Sequence, residues 1–280
     1  MNDPLTFCIS TFNNLNYLKL AVESVRKNSY FKDAPFIIHA ENCTDGTNEW
    51  LEKNKDKYNL TLIIEPNNKI VRGIGGGMNV CAENVKTEYI MFLHSDFYVT
   101  KNWDIECLKL FNKYPNLPMW VFSYRIQPNI FNENSRPGTL IVPNNYFGAY
   151  YNDFTPDLFL QYAKEFSELN DFEIELGEGV SGLIRKKDWD FIGGNDPIFS
   201  PTSWEDKDLF LRMIIKGYKF VVTSKSIVWH FGARGSHRLE ENNGQTSQRQ
   251  KEAETKNVIN WLNKWKKMPV FNENGFIKNW

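Results

Sequence analysis

At 280 residues, 41% hydrophobic and 24% charged, the chain has enough apolar material for one large domain or two closely packed lobes, which argues against disorder. A formal net charge of -1 provides no basic field, so charge indicates neither nucleic acid nor an anionic membrane. Four scattered cysteines (Cys8, Cys43, Cys81, Cys107) contain no C-x-x-C pair; they read as free thiols in a reducing compartment and argue against zinc and disulfide frameworks.

The amino terminus, Met-Asn-Asp-Pro-Leu-Thr, lacks a basic and then apolar leader, and no apolar run approaches a membrane span, so a soluble cytoplasmic protein is expected. Asn42-Cys43-Thr44 and Asn59-Leu60-Thr61 become glycosylation sequons only if the chain is secreted.

Leu5 to Thr11 reads as a strand, after which Leu18, Ala21, Val22 and Val25 recur at helical spacing. Phe36 to Ala40 is a second strand, followed by the polar turn Glu41-Asn42-Cys43-Thr44-Asp45-Gly46-Thr47 and a helix from about Asn48 to Lys57. Leu60 to Glu65 is a third, and Arg72-Gly73-Ile74-Gly75-Gly76-Gly77 leads into a helix carrying Met78, Ala82 and Val85. Strand and helix alternate about every 25 to 30 residues, which predicts a doubly wound α/β domain with a mostly parallel sheet. The glycine run is not a dinucleotide fingerprint, because it does not follow a strand directly and Met78 stands where a third glycine is needed. It leaves two readings, a helix amino terminus approaching a phosphate or sugar, or an ordinary loop.

The fourth strand begins at Tyr89 and breaks off into His94-Ser95-Asp96. Ligands bind at the carboxyl ends of parallel strands, and a hard carboxylate there suits Mg²⁺ or Mn²⁺ holding a phosphate. Taken alone, Asp96 fits a turn or helix cap better.

Beyond it, Trp103 to Tyr114 is a predicted helix and Met119 to Ile126 a strand. Residues 127–155 lose periodicity yet keep Phe131, Tyr146, Phe147, Tyr150, Tyr151 and Phe154, whose rings either stack on a sugar or pin the loop to the core. Pro156 to Leu169 reads as a helix, Val180 to Arg185 as a strand, and a short helix runs through Trp189 to Gly193-Gly194.

A further helix starts within Thr202-Ser203-Trp204-Glu205-Asp206-Lys207-Asp208-Leu209 and ends near Gly217. Its first-turn acids complement the macrodipole, and Ser203 with Asp206 resembles a capping box. Lys219 to Thr223 and Ser226 to Trp229 are two short predicted strands delivering His230. A strand-end histidine is more often structural, but Arg234, Ser236 and His237 follow in a loop of a kind that closes over phosphate. Ser247 to Met268 is helical, with Val258, Trp261, Leu262 and Trp265 on one face; packing on its own domain is favoured over lying on a membrane.

In this order the motifs resemble the inverting glycosyltransferases of family 2 over about residues 5 to 237. The resemblance implies the GT-A fold, a Rossmann-like, mostly parallel sheet flanked by helices. It divides the chain into a domain at 1–237 and a carboxyl-terminal helical extension at 238–280. Within the domain, 1–100 is the nucleotide-sugar half and 101–237 the acceptor and catalytic half. By the same resemblance Thr11, Phe12 and Asn13 hold the base, and Glu41 and Asp45 lie in a base-and-ribose turn one residue shorter than usual. Gly76 and Asn79 sit at the family's Ala-Arg-Asn helix start.

His94-Ser95-Asp96 matches the family's Asp-x-Asp metal motif, with His94 in place of the first acid. Asp96 is then the direct metal ligand and His230 a further one, while His94 and Ser95 remain with the nucleotide sugar, and Arg234 and Ser236 reach its phosphates. Gly193-Gly194 and Glu205-Asp206-x-Asp208-Leu209 match the acceptor-side motif, whose base is Asp206, with Glu205 beside it. The implied cofactor is Mn²⁺ or Mg²⁺, the donor a nucleotide-diphospho-sugar, UDP-sugar favoured, and the acceptor a hydroxyl, foremost of a glycan. The alternative is a non-catalytic nucleotide-sugar or glycan-binding protein on the same fold; the presence of both Asp96 and Asp206 favours the enzyme.

Overall fold

The computed structural model describes residues 3–65, 71–176, 179, 182–232 and 247–279. Its first half follows from the apolar runs. β1 (Leu5–Thr11) feeds α1 (Leu15–Asn28), β2 (Phe36–Glu41) feeds α2 (Thr47–Asn54), β3 (Leu60–Glu65) precedes α3 (Gly73–Glu83), and β4 (Tyr89–His94) closes the unit. These four strands lie parallel in the order β3-β2-β1-β4. Ser10 pairs in register with both His39 and His94, so the polar ends of three strands meet at one edge.

Side chains alternate across the sheet, which sends Phe7 to one face and Cys8 to the other. Phe7 and Phe36 pack with Leu18 and Val22 of α1. Cys8 and Phe92 pack with Ala82 of α3 on the opposite face.

The second half widens the same sheet. Next in chain order are β5 (Phe97–Val99), α4 (Trp103–Lys113), β6 (Met119–Pro128), β7 (Thr139–Val142), α5 (Pro156–Leu169), β8 (Glu173–Leu176) and β9 (Leu183–Arg185). Then follow α6 (Lys186–Ile192), α7 (Glu205–Ile215), β10 (Lys219–His230), α8 (Gln248–Trp265), β11 (Val270–Phe271) and β12 (Ile277–Asn279). The sheet continues from β4 through β9, β6 and β10 to β5, with β7 beside β6 and β8 beside β10. β9 runs antiparallel to both β4 and β6, and β5 antiparallel to β10. The architecture is therefore mixed α/β with a central sheet flanked by helices.

One expectation is corrected here. The two short strands expected at 219–229 are a single strand, β10, whose pairing with β6 shifts register between Thr223 and Ile227. The polar Ser-Lys-Ser stretch does not break it, because Ser224 and Ser226 are buried and bonded: Ser224 Oγ donates to Asn170 O at 3.0 Å, and Ser226 Oγ lies 2.6 Å from Ser123 Oγ. The aperiodic segment is pinned by its rings. Phe147 and Phe154 are buried with Tyr98 and Phe159, and Phe154 stacks on Trp229 at 5.8 Å.

α8 lies on its own domain. Trp261 is fully buried against Phe199 and Leu211, and Asn257 Nδ2 donates to the carbonyls of Phe199, Thr202 and Ser203 at 2.6, 2.8 and 2.9 Å. These bonds fix the strand of chain that enters α7. Among the described residues no helix is long and apolar enough to cross a membrane.

Candidate active site

β4 ends at His94, the chain turns at Ser95-Asp96, and β5 starts at Phe97, which pairs in register with His230 at the end of β10. That pairing brings His94, Asp96 and His230 together, with one ligand atom from each lying within 4.8 Å of the others. His230 Nε2 is 3.5 Å from Asp96 Oδ2, and His94 stacks on Phe97 with ring centroids 5.2 Å apart. Burial alone would raise the Asp96 carboxyl, but the charge and hydrogen bond of His230, together with His94, outweigh it and hold the group well below the usual carboxylate range. One hard carboxylate with two imidazoles is a donor set that fits a first-row divalent ion.

The carboxyl ends of β1 and β2 build the neighbouring wall. Asn13 takes a positive φ of 44°, and its side chain holds Thr44: Asn13 Nδ2 donates to Thr44 Oγ1 at 3.1 Å and Oδ1 accepts from Thr44 N at 2.6 Å. Asp45 accepts from the N–H groups of Asn14, Leu15 and Thr47 at 2.8, 2.9 and 3.1 Å, so its carboxylate fastens this turn to the start of α1. Asn14 Nδ2 donates to Ser95 Oγ at 2.9 Å, tying the turn to the His94-Ser95-Asp96 corner. Buried Thr11 Oγ1 makes no hydrogen bond among the described residues. Phe12, half-buried, lies between Thr11 and Asn13.

Glu41, also buried, accepts from the N–H of Arg72 and, at 2.9 Å, of Gly73, the start of α3. The glycine run is thus the first turn of a helix. At Gly77 a Cβ would sit 1.9 Å from Ser10 Oγ and 2.6 Å from His39 Nδ1, so only glycine lets α3 lie this close to β1 and β2. Gly76 is in the same turn, and Asn79, one turn on, exchanges two hydrogen bonds with the Asn195 backbone at 2.8 and 2.9 Å. Asn79 therefore couples α3 to the chain beside the Gly193-Gly194 corner.

His39 is fully buried between Ser10 and Glu65, and desolvation outweighs the Glu65 carboxylate and lowers its pKa from 6.5. The folded protein keeps this imidazole neutral while the unfolded chain protonates, so stability falls as pH drops below about 6.5. Denaturant titrations at pH 7.5, 6.5 and 5.5 should show this loss, at a slope of at most about 1.4 kcal/mol per pH unit, and His39→Gln should flatten it.

The third wall is the start of α7. The expected Ser203–Asp206 capping box is not formed. Trp204, at φ 73°, is the N-cap and provides no side-chain cap, while Ser203 Oγ is held by Gln250 Nε2 of α8 at 2.8 Å. Exposed Asp206 accepts only its neighbour's N–H, Lys207, at 2.7 Å among the described residues. It lines a cavity of about 110 Å³ together with Phe97, the residue after Asp96. Glu205 packs toward α3, where a Cβ on Gly75 would lie 3.0 Å from Glu205 Cγ. Asp208 is fully buried and engaged by Arg212 Nε at 2.8 Å, Trp265 Nε1 at 2.9 Å and Lys264 Nζ at 2.6 Å. Arg234 and Ser236 lie outside the described residues.

Residues 6–175, more than half of the chain, match the family model described as "Glycosyl transferase family 2". The chain belongs to glycosyl transferase family 2. No curated protein matches it. Solved structures share the fold. TarS of S. aureus superposes with a TM-score of 0.56 at 15% identity over 83% of this chain and 37% of that one. TarS 1-349 in complex with UDP gives 0.53 at 17% identity over 82% and 60%. GalNAc-T7, solved with UDP, GalNAc and Mn²⁺, gives 0.58 at 14% identity over 81% and 43%. The chain thus spans from about a third to three-fifths of these chains.

Within this family 2 domain, two positions gained a place in the site only from the fold. Asn195 carries the bond to Asn79, and Arg125 lines the Asp206 cavity from β6. Only Arg125 leaves a trace in the sequence, as a cation inside an otherwise apolar strand run, an environment that demands a partner.

Proposed function

We propose that the chain transfers a sugar from a nucleotide diphosphate donor, UDP-sugar favoured, to an acceptor hydroxyl with inversion at the anomeric carbon. The observation that carries this reading is the His94-Asp96-His230 cluster at the sheet edge beside a cavity lined by Asp206. The UDP and UDP-GlcNAc complexes of TarS 1-349 favour the donor class.

In this reading residues 1–100 bind the donor: Thr11, Phe12, Asn13 and Asp45 face the base and ribose, and Glu41, Gly76 and Asn79 set the α3 start against the sugar phosphate. Arg234 and Ser236 add hydrogen bonds to the diphosphate. Asp96, His230 and His94 would hold a divalent ion, which would supply Lewis-acid neutralisation of the charge on the leaving diphosphate. In the acceptor half, 101–237, Asp206 takes the proton of the attacking hydroxyl as the new C–O bond forms and the bond to the diphosphate breaks. Displacement from the opposite face inverts the centre without a covalent enzyme intermediate. The four free cysteines fit a reducing, cytoplasmic setting.

Incubation with a panel of UDP-sugars and hydroxyl acceptors in the presence of Mn²⁺ should release UDP at a rate that depends on acceptor; tight donor binding with no turnover would instead support the non-catalytic alternative. His94→Asp adds a second hard oxygen ligand, so it should tighten Mn²⁺ binding by calorimetry. Unchanged or weaker affinity would remove His94 from the metal and leave it with the ribose or a phosphate.

A further inference from the structure

Resting on this transferase reading, we propose that the cavity beside Asp206 takes an anionic acceptor, a hydroxyl-bearing glycan chain carrying phosphate-diester or carboxylate groups, held by Arg125 and Arg136. The cavity is walled by Phe97 and Phe276, and its charged lining among the described residues is Arg125, Arg136 and Lys207 with Asp206.

Arg125 projects from β6 beside Thr139 of β7, and its Nε and Nη2 donate to Thr139 Oγ1 at 3.2 and 2.8 Å. That bond fixes the plane of the guanidinium but offers no countercharge. Among the described residues neither Arg125 nor Arg136 has a carboxylate within 4.0 Å. Burial pushes the Arg125 guanidinium down to about 10 and the charge of Arg136 adds to the effect, while Glu133 and Asp96 act the other way from beyond ion-pair distance; the group remains cationic at neutral pH. Two like charges beside apolar walls, with Glu133 and Asp96 acting on Arg125 only at longer range, are costly to hold together without a directly bonded anion. A guanidinium fork matches carboxylate and phosphate oxygens in pairs, whereas a neutral sugar would leave the charge unanswered.

Arg125 pairs in register with Val228, two residues before His230, so a donor diphosphate is the competing occupant. Calorimetry on the full chain with Mn²⁺ and UDP separates the two, using a glycerol-phosphate trimer, a hexuronate trisaccharide and a neutral hexose trisaccharide as probes. One anionic probe should bind roughly tenfold or more tighter than the neutral one, as charge-assisted hydrogen bonds imply, and which one identifies the group. Arg125→Gln and Arg136→Gln should each abolish that preference without changing UDP affinity. Arg136 is exposed, so its variant keeps the test readable if Arg125→Gln fails to fold.

Equal binding of the neutral probe, or an anion preference that survives both substitutions, overturns the proposal. Weakened UDP binding in Arg125→Gln overturns it too, by moving Arg125 to the donor. Arg-dependent anion binding without sugar transfer from any UDP-sugar would uphold the anion site and sink only the transferase reading.

Discussion

Asp206→Asn should lower single-turnover sugar transfer by roughly two to four orders of magnitude while nucleoside diphosphate affinity stays nearly unchanged. The amide keeps the size of the side chain but cannot take the acceptor's proton. The stability cost should stay below the about 0.5 to 2 kcal/mol of a lost helix cap, because among the described residues Asp206 accepts only the adjacent Lys207 N–H. Rate, affinity and denaturant midpoint therefore move apart in one variant. Transfer at a near wild-type rate would end the role of Asp206 as base and leave Glu205, the other first-turn acid that is not fully buried, as the candidate.

Asp208→Ala should do the reverse and cost about 3 to 5 kcal/mol of folding stability, read by chemical denaturation. Asp208 receives Arg212 from its own helix and Lys264 and Trp265 from α8, so its removal strands two cations around a buried site. Lys264 retains Asp196 at 2.7 Å, which offsets part of the loss. Arg212 also donates to the carbonyls of Ile192 and Gly194 at 2.8 and 2.6 Å, and Asn195 beyond them is bonded to Asn79. Losing Asp208 should therefore loosen the Gly194-Asn195 corner against α3, and catalysis should fall only as a consequence. A variant with wild-type stability would contradict this chain of contacts.

Where a segment's pattern has one physical meaning, the sequence predicts it well. Pro156–Leu169 is a helix with the expected bounds because Pro156 opens it and its apolar positions repeat at helical spacing. β10 was less legible, since Ser224-Lys225-Ser226 resembles a break until the partners that satisfy both hydroxyls are known. Local spacing also suggested a cap at Ser203, which α8 engages through Gln250, some 47 positions away in sequence. At the site, Asp96 and His230 were visible as polar residues at strand ends. His94 was visible in the same way, but the meeting of His230 with the other two depends on the pairing of β10 with β5, which no local pattern encodes. Arg125 and Arg136 likewise meet only because β6 and β7 pair.

His94, Asp96 and His230 should together hold a divalent ion against a nucleoside diphosphate. Thermal unfolding of the full chain with UDP, in Mn²⁺ and in chelator, tests it in wild type and in Asp96→Ala. With Mn²⁺, UDP should stabilise the wild-type protein by about 2.7 kcal/mol at a hundredfold excess over the dissociation constant, and clearly less at the same concentration in chelator. Asp96→Ala should erase that difference. Equal stabilisation by UDP in Mn²⁺ and in chelator, or a Mn²⁺ effect that survives Asp96→Ala, would contradict it.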